Sequence, residues 1–154
     1  MAGPTDPTTP EQPAPEKLRM MEPPVGADSG PFWDATREGR LLVQWCTECD
    51  RGIFYPRSFC PICGSGRGSL EWRTASGRAT VHAATVEHKP AGFSHGEPYV
   101  VALVELEEGV RMMTNVIGCP PDEVKVGQAV TLTWERLSDG RQLPQFTPTG
   151  GPGT

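Results

Sequence analysis

The sequence lacks any long hydrophobic run. No segment approaches the ~20 consecutive apolar residues of a transmembrane helix, and no apolar run of about 7–15 residues follows Met1, as a signal peptide would require. These absences lead us to expect a soluble protein of the cytoplasm. In such a reducing compartment, paired cysteine motifs bind metal more often than they form disulfides.

Recognisable catalytic motifs are missing as well. The sequence has no Walker loop, no G-x-G-x-x-G and no nucleophile elbow. His82, His88, His95 and the isolated Cys119 are therefore expected to be structural or surface residues, and the pair Glu107–Glu108 is expected at a solvated hairpin tip. We predict that the chain by itself is not an enzyme. A hydratase or acyltransferase that uses Cys119 or a histidine stays open as an alternative.

Large apolar side chains are scarce at the start of the chain. Hydrophobic residues make up 36% of the sequence, and eight of its 17 prolines lie between Pro4 and Pro31. Such a segment cannot bury enough surface to offset the entropy of ordering it. We therefore predict a disordered Pro-rich linker or tail over residues 1–28 and a short disordered tail over residues 149–154, with a small core between them.

Basic residues are in excess only around the cysteines. The formal net charge is -5, but Lys and Arg outnumber Asp and Glu by 7 to 4 in residues 40–89, against 3 to 7 in residues 1–39 and 4 to 8 in residues 90–154. A small basic patch can hold a polyanion such as a nucleotide diphosphate, although ordinary charge scatter explains it equally well. It is a poor footprint for a nucleic-acid backbone.

Two C-x-x-C pairs separated by ten residues contain four of the five cysteines, Cys46, Cys49, Cys60 and Cys63. Two such turns that face each other supply the four thiolates of a tetrahedral zinc site. Gly64 after the second pair permits a left-handed backbone, which Asp50 after the first pair tolerates less well. Iron, a redox dithiol and disulfides stay open as alternatives. Because four cysteines fill the shell of a zinc ion, we expect a structural metal.

The hydrophobic pattern predicts a mainly β chain after one short helix. Ser29 or Gly30 can cap this helix, Pro31 suits its first turn, and Gly39 can end it. From Arg78 onward, short apolar or alternating runs separated by turn residues predict a small barrel or sandwich. The inward face of this unit is predicted to carry Val101, Leu103, Val110, Met112, Val130 and Leu132.

The order of these features resembles a known family. The stretches "FWDATREGRLLVQWCTEC", "PRSFCPICGS", "LEWRTASGRATV" and "VALVELEEGV", within about Pro31 to Pro148, look like the family called domain of unknown function 35. The resemblance implies a short N-terminal helix and a rubredoxin-like zinc ribbon over residues 29–76, followed by an OB-fold barrel over residues 77–148. It also implies that the four paired cysteines are the ligands of a structural zinc.

The resemblance implies a function too. Family members sit beside thiolase-superfamily enzymes or MaoC-like enoyl-CoA hydratases. Some form the C-terminal half of a hydratase subunit in steroid side-chain degradation, and the Pro-rich start would then be the linker to the other half. We expect a non-catalytic accessory domain, in a hetero-oligomer, that docks on a thiolase-like aldolase or a thiolase and helps to bind or channel acyl-CoA. The partner would carry out a retro-aldol cleavage of a β-hydroxyacyl-CoA in lipid or steroid degradation.

Four arginines of the ribbon are the candidates for contact with a coenzyme A phosphate or an acidic partner. They are Arg51, Arg57, Arg67 and Arg73. The alternative for each is an arginine that only supports its own fold.

A function of another class is nucleic-acid binding, since zinc ribbons and OB-folds are both common in such proteins. An OB-fold of this kind needs exposed aromatic residues and a positive groove. Residues 90–154 are acidic, and their aromatic residues are scattered, at Phe93, Tyr99, Trp134 and Phe146. We therefore expect no nucleic-acid partner.

Overall fold

The computed structural model describes residues 22–88 and 97–150. Within these ranges the chain forms one α-helix, eight β-strands and two short 3-10 turns. The helix and strands are α1 (Gly30–Arg37), β1 (Leu42–Cys46), β2 (Arg51–Ile53), β3 (Leu70–Thr74), β4 (Arg78–Glu87), β5 (Tyr99–Leu106), β6 (Arg111–Val116), β7 (Ala129–Arg136) and β8 (Gln142–Pro148). No helix in this part of the chain is long and apolar enough to cross a membrane.

Parts of both predicted tails lie outside the described residues, namely residues 1–21 and residues 151–154. The remainder of the predicted N-terminal tail contacts the barrel. The Glu22 carboxylate accepts hydrogen bonds from the backbone N–H and the hydroxyl of Ser138, at 2.7 and 2.8 Å. The Arg141 guanidinium donates to the Pro23 carbonyl at 2.7 Å. The chain therefore enters the described region along the barrel surface.

Helix α1 occupies the predicted position, but no side chain caps it. Pro31 lies in the first turn, and Gly39, with a φ of +70°, follows the last turn. Ser29 is the N-cap residue, yet its hydroxyl makes no bond to the helix. That hydroxyl instead accepts a hydrogen bond from the Gly26 N–H at 2.9 Å and so fixes the turn before the helix.

The buried face of α1 packs on the barrel. It consists of Phe32, Trp33, Ala35 and Thr36. The Thr36 hydroxyl accepts a hydrogen bond from the Gln142 N–H at 3.2 Å, and the Gln142 side-chain amide donates to the Thr36 carbonyl at 2.8 Å. Since Gln142 is the first residue of β8, these bonds attach the helix to one end of the barrel.

Strands β1 to β3 form an antiparallel sheet in the order β2-β1-β3. Cys46 at the end of β1 pairs with Arg51 in β2 and with Leu70 in β3. The first cysteine pair thus lies at the turn between β1 and β2. The second pair lies in the loop between β2 and β3, where Phe59 and Gly66 form an isolated bridge. This topology brings both cysteine pairs to the same end of the sheet.

Strands β4 to β8 form a closed barrel in the order β4-β5-β6-β8-β7, with β7 pairing back onto β4. Neighbouring strands are antiparallel except β6 and β8, which are parallel and joined by the single pair Val116 and Phe146. A five-stranded closed barrel with this strand order, in which β6 pairs with β8 and β7 with β4, is the Greek-key arrangement of the OB-fold. The predicted mainly β chain with a short helix, a ribbon and an OB-fold barrel is confirmed.

The predicted inward face of the barrel is confirmed on β6 and β7 but is wrong on β5. Met112 and Val130 are buried as predicted, as is Val110 before β6, while Leu132 is half-buried against the core. On β5 the core takes the other face of the strand, with Val100, Ala102, Val104 and Leu106 buried and Val101 and Leu103 half-buried. The segment "YVVALVEL" is apolar on both faces, so its sequence cannot specify which face points inward.

Candidate metal centre and apolar groove

The structure brings the four paired cysteines together. The sulfur atoms of Cys46, Cys49, Cys60 and Cys63 all lie within 4.8 Å of one another. The Cys46 and Cys63 sulfurs are 3.7 Å apart, as are the Cys49 and Cys60 sulfurs. A tetrahedral zinc ion with Zn–S bonds of ~2.3 Å requires sulfur separations of about 3.8 Å. The donor set and its spacing therefore fit one tetrahedral metal ion.

Both cysteine turns adopt the conformation that a C-x-x-C metal turn requires. Gly64 after the second pair has a φ of +79°, and Asp50 after the first pair has a φ of +52°. Asp50 is held there by its carboxylate, which accepts a hydrogen bond from the Trp45 indole N–H at 2.8 Å. In the second turn the Gly64 N–H donates to the Cys60 carbonyl at 2.9 Å. Asp50 therefore adopts the left-handed conformation after the first pair, and its hydrogen bond with Trp45 stabilises this conformation.

The local environment shifts the pKa values of Cys49, Cys60 and Cys63. The Ser65 hydroxyl, 2.9 Å from the Cys63 sulfur, and the Ser65 backbone lower the pKa of Cys63 to about 6. Burial acts to raise the pKa of Cys60, but hydrogen bonds from the backbone of Cys63 and Ile62 outweigh it and lower the pKa. Burial, followed by the neighbouring thiols, raises the pKa of Cys49 to about 12. Backbone and hydroxyl donors thus favour thiolate at the second cysteine pair.

Disulfides are not the arrangement in the structure. All five cysteines are free, and the 3.7 Å separations within the cluster far exceed the ~2.05 Å of an S–S bond. A zinc ion bound by all four cysteines would have a complete tetrahedral shell, with no open coordination position for a catalytic water.

Two of the four candidate arginines have partners in their own fold. Arg67 forms an ion pair with Asp28 at 2.5 Å. Arg73 forms an ion pair with Glu71 at 2.5 Å, and its guanidinium lies over the Trp45 ring, 4.4 Å from the ring centre. Arg67 thus contacts the segment before helix α1, and Arg73 contacts the ribbon itself.

The other two arginines are exposed and carry no ion pair within the described residues. Arg51 lies on β2. Arg57 is fixed through its backbone, because its N–H donates to the Gln44 side-chain oxygen at 2.7 Å and its carbonyl accepts from the Gln44 amide at 3.0 Å. The buried Gln44 in "LLVQWC" is a residue that the sequence analysis missed. A polar side chain inside an apolar strand was the signal for it.

The candidate catalytic side chains are not assembled into a site. His82 on β4 and His88 are exposed, and His95 lies outside the described residues. Cys119 is half-buried, and burial, followed by the charge of Glu123, raises the pKa of its thiol. A thiol with a raised pKa is protonated at neutral pH and is a poor nucleophile.

Glu107 and Glu108, which were predicted at a hairpin tip, both make contacts with the start of β4 or the residues just before it. Glu107 forms an ion pair with Arg78 at 2.6 Å, and its pKa is lowered by that arginine's hydrogen bond and charge. The half-buried Glu108 accepts a hydrogen bond from the Ser76 N–H at 2.6 Å. These glutamates therefore hold the β5–β6 turn against the start of β4.

An apolar groove of about 840 Å³ lies between the ribbon and the barrel. Its walls come from residues 23–29, helix α1, the ribbon loop of residues 54–56 and strands β5, β6, β7 and β8. On the barrel side it follows the gap between β6 and β8, which share only one ladder pair. This groove could not be predicted from the sequence, because its walls come from segments that are distant from one another in the chain.

Aromatic rings form the ribbon side of the groove. Phe32 and Trp33 of α1 meet edge to face with 5.0 Å between ring centres. Phe32 meets Phe54 in the same way at 5.6 Å, and Phe54 lies 4.4 Å from Tyr55. Trp33 is backed by the buried Arg141, whose guanidinium lies 4.8 Å from the ring centre. The helix and the ribbon loop therefore form one continuous apolar wall.

The described aromatic residues of the barrel that were considered for nucleic-acid binding lie in the core or line the apolar groove. Phe146 is fully buried, and Trp134 is packed against the core. Tyr99 is half-buried and lines the apolar groove. Phe93 lies outside the described residues.

A small sheet that gathers four cysteines, joined to a closed five-stranded barrel, defines a protein of the zinc-ribbon and OB-fold class. Two family models match the chain, one described as the rubredoxin-like zinc ribbon domain of ChsH2 over residues 33–70 and one as its C-terminal OB-fold domain over residues 72–135. A "DUF35 domain-containing scaffold protein" of Methanothermobacter thermautotrophicus is 35% identical over 100 residues, which are 64% of this chain and 74% of that protein. The chain belongs to the DUF35 family.

Longer relatives are named as hydratase subunits. A "probable enoyl-CoA hydratase alpha subunit" of Thermomonospora curvata is 37% identical over 136 residues, which are 87% of this chain and 41% of that protein. The "3-oxo-4,17-pregnadiene-20-carboxyl-CoA hydratase alpha subunit" of Mycobacterium tuberculosis is 34% identical over 121 residues, 78% of this chain and 38% of that protein. This chain thus spans about two fifths of the length of these relatives.

Two solved structures share the fold. A chain of the structure described as "Ltp2-ChsH2(DUF35) aldolase" is 35% identical, with a TM-score of 0.73 over 82% of this chain and 98% of that one. A DUF35 protein of Sulfolobus solfataricus, of unknown function, is 17% identical, with a TM-score of 0.59 over 81% of this chain and 87% of that one. The second likeness is one of fold alone. The cysteine geometry and the zinc ribbon model together indicate a structural zinc.

Proposed function

We propose that this chain is a non-catalytic accessory domain that docks on a thiolase-superfamily aldolase or thiolase and helps to bind or channel its acyl-CoA. The observation that carries the proposal is the likeness to the chain in the Ltp2-ChsH2(DUF35) aldolase structure, which this chain covers almost completely. The partner supplies the residues for a retro-aldol cleavage of a β-hydroxyacyl-CoA. The complex is a cytoplasmic hetero-oligomer, and a MaoC-like hydratase is its second enzyme.

The chemistry of the described side chains supports a non-catalytic role. The pKa of the Cys119 thiol is raised. His82 and His88 are exposed, and within the described residues neither forms a hydrogen bond with a serine, threonine or cysteine side chain. We assign the four paired cysteines as zinc ligands. With a closed shell of four sulfurs, the zinc contributes folding energy to the ribbon and does not take part in the reaction.

The surface of the ribbon supports docking. Phe59, directly before the second cysteine turn, and Ile62, within that turn, are 52% and 54% exposed. Exposed apolar side chains next to charged ones are typical of protein interfaces. Arg51 and Arg57 lie on the same small module and are available for an acidic partner surface or a coenzyme A phosphate. We therefore place the partner contact at the second cysteine turn and these two arginines.

Co-purification with a thiolase-superfamily aldolase tests the proposal. We expect the full chain to co-elute with such an enzyme in size-exclusion chromatography and to raise its kcat/KM for retro-aldol cleavage by about tenfold or more. Ile62→Glu should weaken co-elution, because it places a charge in the apolar contact. Val126→Glu is the matched control, since Val126 is 68% exposed and lies in the turn before β7.

The proposal fails if the chain elutes alone and the activity of the partner does not change. A salt-dependent shift with single-stranded oligonucleotides would instead support the nucleic-acid alternative. Activity of the chain alone that is lost on Cys119→Ser would support the enzymatic alternative.

A further inference from the structure

We propose that the apolar groove binds an uncharged, largely hydrocarbon ligand and excludes the phosphate groups of a nucleotide. The identification of this ligand with the acyl end of a thioester rests on the proposed function. The ligand chemistry itself follows from the size, lining and charges of the groove. The nucleotide end of an acyl-CoA would then be held outside the groove.

The groove has the size of a small-molecule site. Its volume of about 840 Å³ falls within the ~300–1,000 Å³ of pockets that enclose drug-sized ligands. It is concave because residues 23–29 are held along one side of it. The Glu22 carboxylate bonds to Ser138, the Arg141 guanidinium bonds to the Pro23 carbonyl, and Arg67 pairs with Asp28. These contacts hold that wall at both of its ends.

The lining is aromatic and aliphatic. Phe32, Phe54 and Tyr55 contribute rings on the ribbon side, and Met112 and Leu143 contribute aliphatic side chains on the barrel side. Such a surface gains free energy from removing hydrocarbon from water and offers little to a hydrated group.

The charges of the groove disfavour an anion. Of the described residues that line it, only Asp28 and Glu135 are charged, and both are acidic. Asp28 is paired with Arg67, and Glu135 accepts a hydrogen bond from the Gln145 amide at 2.6 Å. No lysine or arginine is part of this lining. A phosphate placed here would lose its hydration and meet no positive charge.

The polar side chains of the lining are mostly engaged within the protein. The Thr114 hydroxyl donates to the Pro144 carbonyl at 3.0 Å, and the Asn115 amide donates to the Val100 carbonyl at 2.9 Å. The hydroxyls of Tyr55 and Tyr99 make no hydrogen bond within the described part of the chain, so they are left to bind polar atoms of a ligand. A mainly hydrocarbon molecule with one or two neutral oxygens fits these groups.

A displacement experiment with the full chain tests the inference. The solvatochromic dye Nile red is uncharged, and its fluorescence should rise and saturate at one dye per chain. Dodecanol, a neutral hydrocarbon alcohol, should displace the dye, whereas free coenzyme A should not. Met113→Glu should weaken dye binding by about tenfold or more, because it places a carboxylate at the rim of the groove on a side chain that is 60% exposed and does not hold the fold. Val126→Glu should bind the dye like the unmodified chain.

Three results would overturn the inference. Dye binding that does not saturate would exclude a defined site, and the absence of binding by the full chain would assign the groove to another occupant, such as residues 1–21 or an apolar segment of a partner. Displacement by free coenzyme A as effective as by dodecanol would show that the groove accepts the nucleotide. Co-elution with the aldolase is measured separately, so failure of dye binding and failure of docking are distinguishable.

Discussion

The ribbon end and the barrel are stabilised by different means. The barrel belongs to a cluster of seventeen buried residues that also includes Phe32 and Trp33 of the helix, Leu41 before the first strand and Val43 within it. The cysteine end of the ribbon has a cluster of only three, Cys46, Ile53 and Cys60. Burial of apolar surface can stabilise the first cluster, but the second is too small to stabilise its own fold.

One strand connects the two regions. Val43 of β1 is buried in the large cluster, whereas Cys46, three residues later, is buried in the cysteine cluster. A zinc ion bound by Cys46 would therefore fix the end of a strand whose other end is already held by the large cluster. The ribbon sheet thus extends outward from the hydrophobic core towards the cysteines, and the chain that follows β2 supplies Phe54 and Tyr55 to the groove.

Loss of a metal ligand should produce the largest difference in stability between the ribbon and the barrel. We expect Cys60→Ser to reduce bound zinc from about one per chain to well below that, because the apparent binding free energy of a structural zinc is ~10–16 kcal/mol and depends on all four ligands. Metal analysis and hydrogen exchange check this, with loss of protection in β2 and around the cysteines and retained protection in β4 to β8. Cys119→Ser, outside the cluster, is the control. Full zinc occupancy in Cys60→Ser would contradict the assignment.

A cavity in the barrel should have the next largest effect. Phe146 on β8 is fully buried in the large cluster, and Phe146→Ala should lower the free energy of unfolding by about 3–5 kcal/mol in urea titration. If that variant does not fold, Phe146→Leu should cost less than ~1.5 kcal/mol. Met113→Ala, on an exposed side chain of β6, should change stability by less than ~0.5 kcal/mol. Equal losses at the two positions would show that the core of the barrel is placed wrongly.

The contact between the two regions is tested at Gly52. A side chain there would collide with the Val110 methyl group and would lie 3.1 Å from the Trp45 ring. Gly52→Ala should therefore destabilise the protein by about 1–3 kcal/mol through overpacking, measured by urea unfolding with zinc bound. Gly68→Ala is the control, because no atom lies within 4 Å of the added carbon. If Gly52→Ala is as stable as Gly68→Ala, the ribbon does not pack on the barrel at this point.

The smallest effect is expected at the ion pair between Arg67 and Asp28. The Arg67 side chain is 68% exposed, so Arg67→Ala should cost only about 0.2–1 kcal/mol and less at high salt. A double-mutant cycle with Asp28→Asn isolates the pair. Arg51→Ala, without an ion pair among the described residues, serves as the control. A coupling that does not weaken with salt would argue against a solvent-exposed pair.

The sequence specified the ribbon better than it specified the barrel interior. The spacing of the cysteines and the residues after each pair were enough to predict that the four sulfur atoms lie together, because a C-x-x-C turn is a local structure. The inward face of β5 could not be predicted, since Val100 and Val101 are equally apolar and only the partner strands decide between them. The predicted cap at Ser29 formed a local turn with Gly26 instead, a competition that propensity alone does not resolve.

The groove and the contacts of the nearby arginines could not be predicted from the sequence, for a different reason. Its walls join residues as far apart as Pro23 and Gln145. Arg141 has nothing in its sequence context to indicate that it is buried behind Trp33 and bonded to Pro23. Likewise, Arg67 and Arg73 look like free surface charges until their partners, Asp28 and Glu71, are placed beside them.

The four-cysteine cluster, the helix before it and the mainly β barrel could all be predicted from the sequence, because each depends on short-range spacing or on strand periodicity. The buried face of β5, the pairing of the arginines and the position of the apolar groove depend on the tertiary structure. These features depend on contacts between segments far apart in the chain, and such contacts exist only once the barrel has closed and the ribbon is packed against it.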